Sequence, residues 1–232
     1  MANSQSKFYG FLALILVAGA ALIGFVVISN RGAAVPGEVD LVALQNLIDS
    51  GPSEQLAVIS GADDAPVTVE EFADYLCGAC GMVATLSLPQ VLEKYVDTGK
   101  ARFVFYDYVL NPASHAKTAA QAARCADDQN AFWAMHKVLM SRQREWGTAR
   151  NPLRVIREYA DGLGLDGAAV ETCVENGTYL DVVMASTQHA QQRGLNSTPV
   201  FFFNGRPFAG ARGYDQMAQI IEEELAARGQ NQ

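Results

Sequence analysis

The sequence is short of the residues that metal sites and disulfide scaffolds need. Four cysteines in 232 residues are too few to staple a chain of this size, so the fold must rest on a hydrophobic core. Three histidines (His115, His136 and His189) and a single C-x-x-C leave a four-ligand zinc site short of partners. Basic residues are in the minority, 17 against 25 acidic. Residues 1–31 contain Lys7 and Arg31 and no acid, so the acidic excess falls entirely on residues 32–232. Such a domain repels nucleic acid and anionic headgroups, and no basic stripe offsets that repulsion. Internal repeats and low-complexity tracts are missing too. Half of the residues are hydrophobic and 18% are charged, the balance of a globular chain.

Charge is absent from residues 8–29, FYGFLALILVAGAALIGFVVIS. As a helix this run spans roughly 33 Å, close to the hydrocarbon thickness of a bilayer. It is long for the core of a signal peptide, and no small-x-small cleavage pattern closely follows it. The expectation is a single-pass transmembrane anchor at 8–29 behind a cytoplasmic tail at 1–7. A cleaved signal peptide is the alternative, with the same destination. Lys7 and Arg31 flank the run and give only a slight charge bias. Residues 30–53 read as a linker with a short helix, on the helical spacing of Leu41, Leu44, Leu47 and Ile48 before Gly51.

A compact domain is expected over 54–230. AVIS and VTVEEFADY read as strands, and a helix follows from Gly78 to about Tyr95. RFVFYDYVL is a third strand, bounded by Thr98-Gly99 and Asn111-Pro112. Residues 113–193 hold helical patterns and almost no strand signal. PVFFFNG and RPFAGAR follow as a strand pair, and an amphipathic helix starts at Tyr214. The order β-α-β, helical block, β-β-α predicts an α/β fold with a small mixed sheet and a helical insertion at about 113–193.

The chemistry concentrates where the second strand runs into Cys77-Gly78-Ala79-Cys80. A cysteine at a helix N-terminus meets unpaired N–H groups and the positive end of the macrodipole, which favour the thiolate. A second thiol one turn later is in reach of a mixed disulfide on the first, the arrangement that thiol–disulfide exchange needs. An inert disulfide and half of a zinc site are the bland alternatives. Glu71 lies six residues before Cys77, and alternation puts it on the strand face of Val67, Val69 and Ala73. A buried acid there would have a raised pKa and accept the proton from Cys80 as that thiol becomes the attacking group. A solvated acid beside Glu70 and Asp74 is the other reading. Thr198-Pro199 opens the fourth strand and reads, from pattern alone, as an ordinary trans proline. Cys125 and Cys173 fall in helical segments, 48 positions apart. They form either a disulfide contributing about 4 kcal/mol or two buried thiols. Phe132, Trp133, Met135 and Met140 have the spacing of a core stripe, and His136 reads as a packed or surface residue.

VEEFADYLCGACG at 69–81, AAQAARCADDQNAFWAMHKVLM at 119–140 and GLNSTPVFFFNG at 194–205 together resemble the DsbA-like branch of the thioredoxin superfamily. That resemblance implies a thioredoxin-like sheet with a helical domain inserted between its halves. It implies Cys77 as the exposed nucleophile, Cys80 as the buried resolving thiol and Glu71 as the buried acid. It also implies a cis Pro199 against the disulfide, with Thr198 presenting backbone groups to an extended substrate. Many relatives carry proline and histidine between the cysteines. Gly78-Ala79 supplies neither, so a less depressed Cys77 pKa and a less oxidising couple are expected than in a strongly oxidising relative.

The functional expectation is an enzyme that forms disulfide bonds in protein substrates outside the cytoplasm. It needs no cofactor, but a redox partner must reset its site. The implied location is the inner membrane of a bacterium, with the catalytic domain in the periplasm or extracytoplasmic space. Two alternatives use the same thiols: a disulfide reductase serving one assembly pathway, and a Cu(I) chaperone. The second has only Met82 as a further soft ligand near Cys77 in sequence.

Overall fold

A computed structural model describes residues 53–229. The anchor expected at 8–29 and the short helix of the linker lie outside these residues. Among the described residues, no helix is long and apolar enough to cross a membrane.

Five strands form one sheet in the order β1-β3-β2-β4-β5: β1 Ala57–Ser60, β2 Val67–Ala73, β3 Ala101–Asp107, β4 Val200–Phe203 and β5 Arg206–Ala209. The β2–β3 pair is parallel and the other three pairs are antiparallel. The parallel pair requires a crossover, and helix α1 provides it. This helix runs through Gly78–Met82, a π-turn at Val83–Ser87, an α-turn at Leu88–Val91 and a second π-turn at Leu92–Val96. Pro89 has no N–H to give the preceding turn, and the first π-turn ends just before it. Helices α2 Ala116–Asp127, α3 Phe132–Ser141, α4 Gln143–Gly147, α5 Pro152–Gly162, α6 Gly167–Glu175 and α7 Leu180–Gln192 fill the space between β3 and β4 in sequence. Helix α8, Tyr214–Gly229, closes the described chain.

Side-chain alternation divides the core. Val67, Val69, Phe103, Phe105, Phe201 and Phe203 pack on one side with buried residues of α1, α2, α3 and α8. Phe72, Val104, Tyr106 and Phe202 pack on the other with Ala185 and Ala190 of α7. Glu71 pairs in register with Phe105 and Phe201, in the middle of the sheet. Buried Arg124 of α2 binds Asp107 at the end of β3 at 2.6 Å and the Leu56 carbonyl at 2.6 Å. An ion pair with a further hydrogen bond is the form in which such charges are tolerated inside.

Two elements differ from the sequence reading. The third strand stops at Asp107 and does not run on to Leu110. Its partner β2 ends at Ala73, whose carbonyl takes the Tyr108 N–H as the last bond of the ladder, and the next two N–H groups turn to side chains: Val109 bonds the Thr187 hydroxyl and Leu110 the Asp74 carboxylate. Helix α3 ends at Ser141, and Arg142 separates it from α4. Gln143–Gly147 is a short helix that the pattern does not reveal.

Candidate active site

Strand β2 delivers the site. It ends at Ala73, the chain turns through Asp74, Tyr75 and Leu76, and Cys77 becomes the N-cap of α1. Cys77 keeps an extended backbone (φ −77°, ψ 114°), and its sulfur accepts the Cys80 N–H at 3.4 Å. The side-chain atom that caps this helix is therefore the atom that would carry the thiolate charge. The Cys77 thiol donates to the Thr198 carbonyl at 3.4 Å, and the Thr198–Pro199 peptide bond is cis. Cys77 is half-buried, Cys80 is wholly buried, and both are free thiols.

The two thiols are pushed in opposite directions. Hydrogen bonding from the Cys80 side chain lowers the Cys77 pKa to about 5, helped by Thr198 and by the backbone N–H groups of Cys80 and Ala79 and opposed by burial. Backbone donors thus lower it without any charged side chain between the cysteines. Burial pushes the Cys80 thiol far up, and hydrogen bonding to Cys77 and the charge of Glu71 add to this. Glu71 is itself buried, and burial first, then the negative charge of Cys77, raises it to about 8. Glu71 and both cysteines therefore sense one another's charge.

Two supports are absent from the sequence reading. Buried Asp74 holds the approach to Cys77. Its Oδ1 accepts the Leu76 N–H at 2.7 Å and its Oδ2 accepts the Leu110 N–H at 2.8 Å. Asp bonding the backbone two residues on is a known turn signature, and that signal is present in the order Asp74-Tyr75-Leu76. Gln143 of α4 donates to the Cys77 carbonyl at 2.9 Å, a contact across 66 positions that no local pattern encodes. Gly81 fits beneath them, since a Cβ there would lie 2.9 Å from the Met140 carbonyl. Behind the site, Tyr75 shares a hydrogen bond with His136 Nδ1 at 3.0 Å, and burial lowers His136 to about 3.

The remaining candidates sit apart. Cys125 of α2 and Cys173 of α6 are joined by a disulfide, with Cα atoms 6.0 Å apart. Phe132, Met135 and Met140 are core, and Trp133 packs against the core from a partly buried position. Among the described residues, the exposed large hydrophobic side chains are Leu76, Met82, Leu86 and Leu110. Three of them lie within nine residues of Cys77 in sequence, and the fourth lines a cleft with it.

The sequence matches the family model described as Thioredoxin over residues 54–223. Disulfide bond formation protein D of Bacillus subtilis (strain 168) is 25% identical over 197 residues, covering 78% of this chain and 82% of that protein. The Na(+)/H(+) antiporter NhaA 3 of Salinispora tropica is 31% identical over 170 residues, but these are only 25% of the antiporter's length. The solved structure of oxidised BdbD from Bacillus subtilis has the same fold, with a TM-score of 0.67 at 24% identity, over 75% of this chain and 96% of that one.

Proposed function

The chain belongs to the thioredoxin family and is a DsbA-like thiol–disulfide oxidoreductase, and from that premise we propose that it forms disulfide bonds in protein substrates through Cys77 and Cys80. The observation that carries the direction is the Cys77 pKa of about 5. At pH 7 the reduced enzyme then gains about a hundredfold from thiolate formation, relative to an unperturbed thiol of pKa near 9. For a two-electron couple, that factor raises the potential by about 60 mV. A stabilised reduced form is what makes an oxidant, because the enzyme gives up its disulfide to reach it.

The steps follow from the asymmetry of the pair. The enzyme starts with a Cys77–Cys80 disulfide. A substrate thiolate attacks the half-exposed Cys77 sulfur, the Cys77–Cys80 bond breaks, and the electron pair goes to Cys80. Cys80 is buried and disfavours charge, so it needs a proton as it leaves. Glu71 is buried, and burial, the larger of the causes that raise its pKa, favours its protonated form, so it supplies the proton. The mixed disulfide leaves no charge on Cys77, which removes one of the two causes that raise Glu71. A second substrate thiolate then attacks the substrate sulfur of the mixed disulfide, and Cys77 departs as a stabilised thiolate. Two electrons pass from the substrate dithiol to the enzyme dithiol, and a redox partner must remove them. The Thr198 carbonyl, beside Cys77, offers the backbone acceptor for an extended substrate.

We place the domain outside the cytoplasm, tethered by the apolar run at 8–29. The support is that run itself, together with a second disulfide, since such bonds persist in oxidising compartments. Incubation of the oxidised enzyme with a reduced, unfolded disulfide protein tests the function. Stoichiometric appearance of substrate disulfides with matching loss of the Cys77–Cys80 bond is expected. Reduction of an oxidised substrate by the dithiol enzyme, with no transfer in the forward direction, would favour the reductase.

A further inference from the structure

Helices α1 and α3 do not mesh along their whole length. Two π-turns interrupt α1, at Val83–Ser87 and Leu92–Val96, and the extra residue in each puts its side chains out of step with a regular helix. A recess of about 180 Å³ opens between the two helices, walled by Ala84, Leu88 and Leu92 of α1 and by Trp133, His136 and Lys137 of α3. It shares no lining residue with the cleft beside Cys77. A cavity of about 150 Å³ lined by Leu, Ile and Phe accepts benzene, so one aromatic ring fits this recess.

The inner wall carries a polar atom without a partner. His136 is 1% exposed, and the rings of Tyr75, Phe105, Phe132 and Trp133 fix its plane. Its Nδ1 is committed to the Tyr75 hydroxyl at 3.0 Å, while its Nε2 has no hydrogen-bond partner among the described residues. The tautomer follows from Tyr75. That hydroxyl is buried against His136, so its proton is satisfied by donation to Nδ1. Burial keeps the imidazole neutral, with a pKa lowered to about 3, and a neutral imidazole that accepts at Nδ1 carries its proton on Nε2. A buried N–H of this kind is costly until an acceptor reaches it. At the mouth, Lys137 is exposed and has no acidic partner among the described residues.

We propose that this recess binds a small monocarboxylate with one aromatic ring, the ring lying against Leu88, Leu92 and Trp133 and the carboxylate accepting from His136 Nε2 and Lys137. The inference goes beyond disulfide exchange and does not rest on it. A neutral carbonyl would satisfy His136, but the lysine selects the anion. A cation of the same shape meets a like charge at the mouth and a second donor inside.

The test titrates the full-length chain with benzoate and, separately, with benzylamine, which presents the same ring with the opposite charge. Calorimetry reads the affinity, and the imidazole nitrogen NMR spectrum reads His136. Benzoate is expected to saturate one site with a Kd below about 1 mM, and benzylamine to bind at least about tenfold more weakly. The His136 proton should be on Nε2 before addition, and benzoate should shift the Nε2 signal more than the Nδ1 signal. Lys137→Gln, at an exposed position, should weaken benzoate binding about three- to tenfold. His136→Phe keeps a packed ring, removes the N–H and should weaken binding at least about tenfold. Should that variant fail to fold, the Nε2 shift in the wild-type chain carries the same information. Cys77→Ser should bind benzoate within about twofold of wild type, so loss of exchange and loss of binding are separate results. No saturation up to about 10 mM benzoate, equal affinity for benzylamine, or a His136 proton on Nδ1 would overturn the proposal.

Discussion

Cys77–Cys80 and Cys125–Cys173 use the same side chain in opposite surroundings. The first pair lies three residues apart at the N-terminus of α1, with backbone N–H groups aimed at one sulfur and a buried carboxyl group sensing both. The second pair joins two helices of the insertion, where the bond closes 48 residues of chain. One environment separates the pKa values of its two thiols, as the proposed exchange requires. The other shortens the loops available to the unfolded chain, so that the fold holds. What a cysteine does is thus set by the donors and the burial around it.

The sharpest way to break this contrast is to remove sulfur from each pair in turn. Cys77→Ser should lower exchange with a reduced protein substrate by at least about a thousandfold, because the attacked sulfur is gone. The double variant Cys125→Ala/Cys173→Ala should exchange within about twofold of wild type. Stopped-flow tryptophan fluorescence, with Trp133 and Trp146 as reporters, reads both rates. Urea unfolding should reverse the ranking. The double variant should lose about 4 kcal/mol of stability, and a loss below about 1 kcal/mol would make that disulfide a bystander.

Glu71 extends the comparison to pH. Its folded value near 8 lies above the ordinary carboxyl value of 4.5, so between these values the unfolded chain binds fewer protons and stability falls as pH rises. Glu71→Gln removes that slope. Relative to wild type, the reduced variant should be no more stable at pH 4.5 and more stable by on the order of 3 kcal/mol at pH 8. Cys77 acts with the opposite sign. Its lowered value makes it stabilising at high pH, and that contribution is lost as pH falls toward 5. Urea denaturation across pH separates the two, and a flat difference between Glu71→Gln and wild type would show that Glu71 is not held protonated.

The smallest effects compare the two glycines beside the cysteines. A Cβ at Gly81 meets the Met140 carbonyl at 2.9 Å, while one at Gly78 meets nothing within 4 Å. Gly81→Ala should cost about 1–3 kcal/mol, and Gly78→Ala should be neutral or stabilising by up to about 1 kcal/mol. Thermal unfolding of the two variants measures the difference.

Much of this is legible in the sequence because it is encoded locally. Strand alternation puts Glu71 on the face of Val67 and Val69, and the strand–C-x-x-C–helix order puts Cys77 at a helix start. The resemblance to a family supplies what pattern does not, since an X-Pro bond reads as trans by default and Thr198-Pro199 is cis. Distant contacts stay hidden. In sequence Asp74 is one of several acids near Glu71, and only the fold brings Leu110 to its carboxylate. Gln143 reaches the Cys77 carbonyl from a short helix that begins only where Arg142 breaks the helical pattern. The third strand ends early for the same reason, because Val109 and Leu110 find acceptors on other elements. The Gly78-Ala79 pair suggests a weakly depressed nucleophile, but the donors that lower it are the Cys80 side chain and backbone N–H groups.

The central claim is that the Cys77 environment makes this pair an oxidant. The direct test is the reduction potential of the Cys77–Cys80 couple in the full-length chain, equilibrated against glutathione and read by mass after alkylation of Cys77. A parallel sample without Cys125 and Cys173 isolates the signal. A potential between about −120 and −180 mV is predicted. A potential near about −270 mV would contradict the account and assign the same two thiols to reduction.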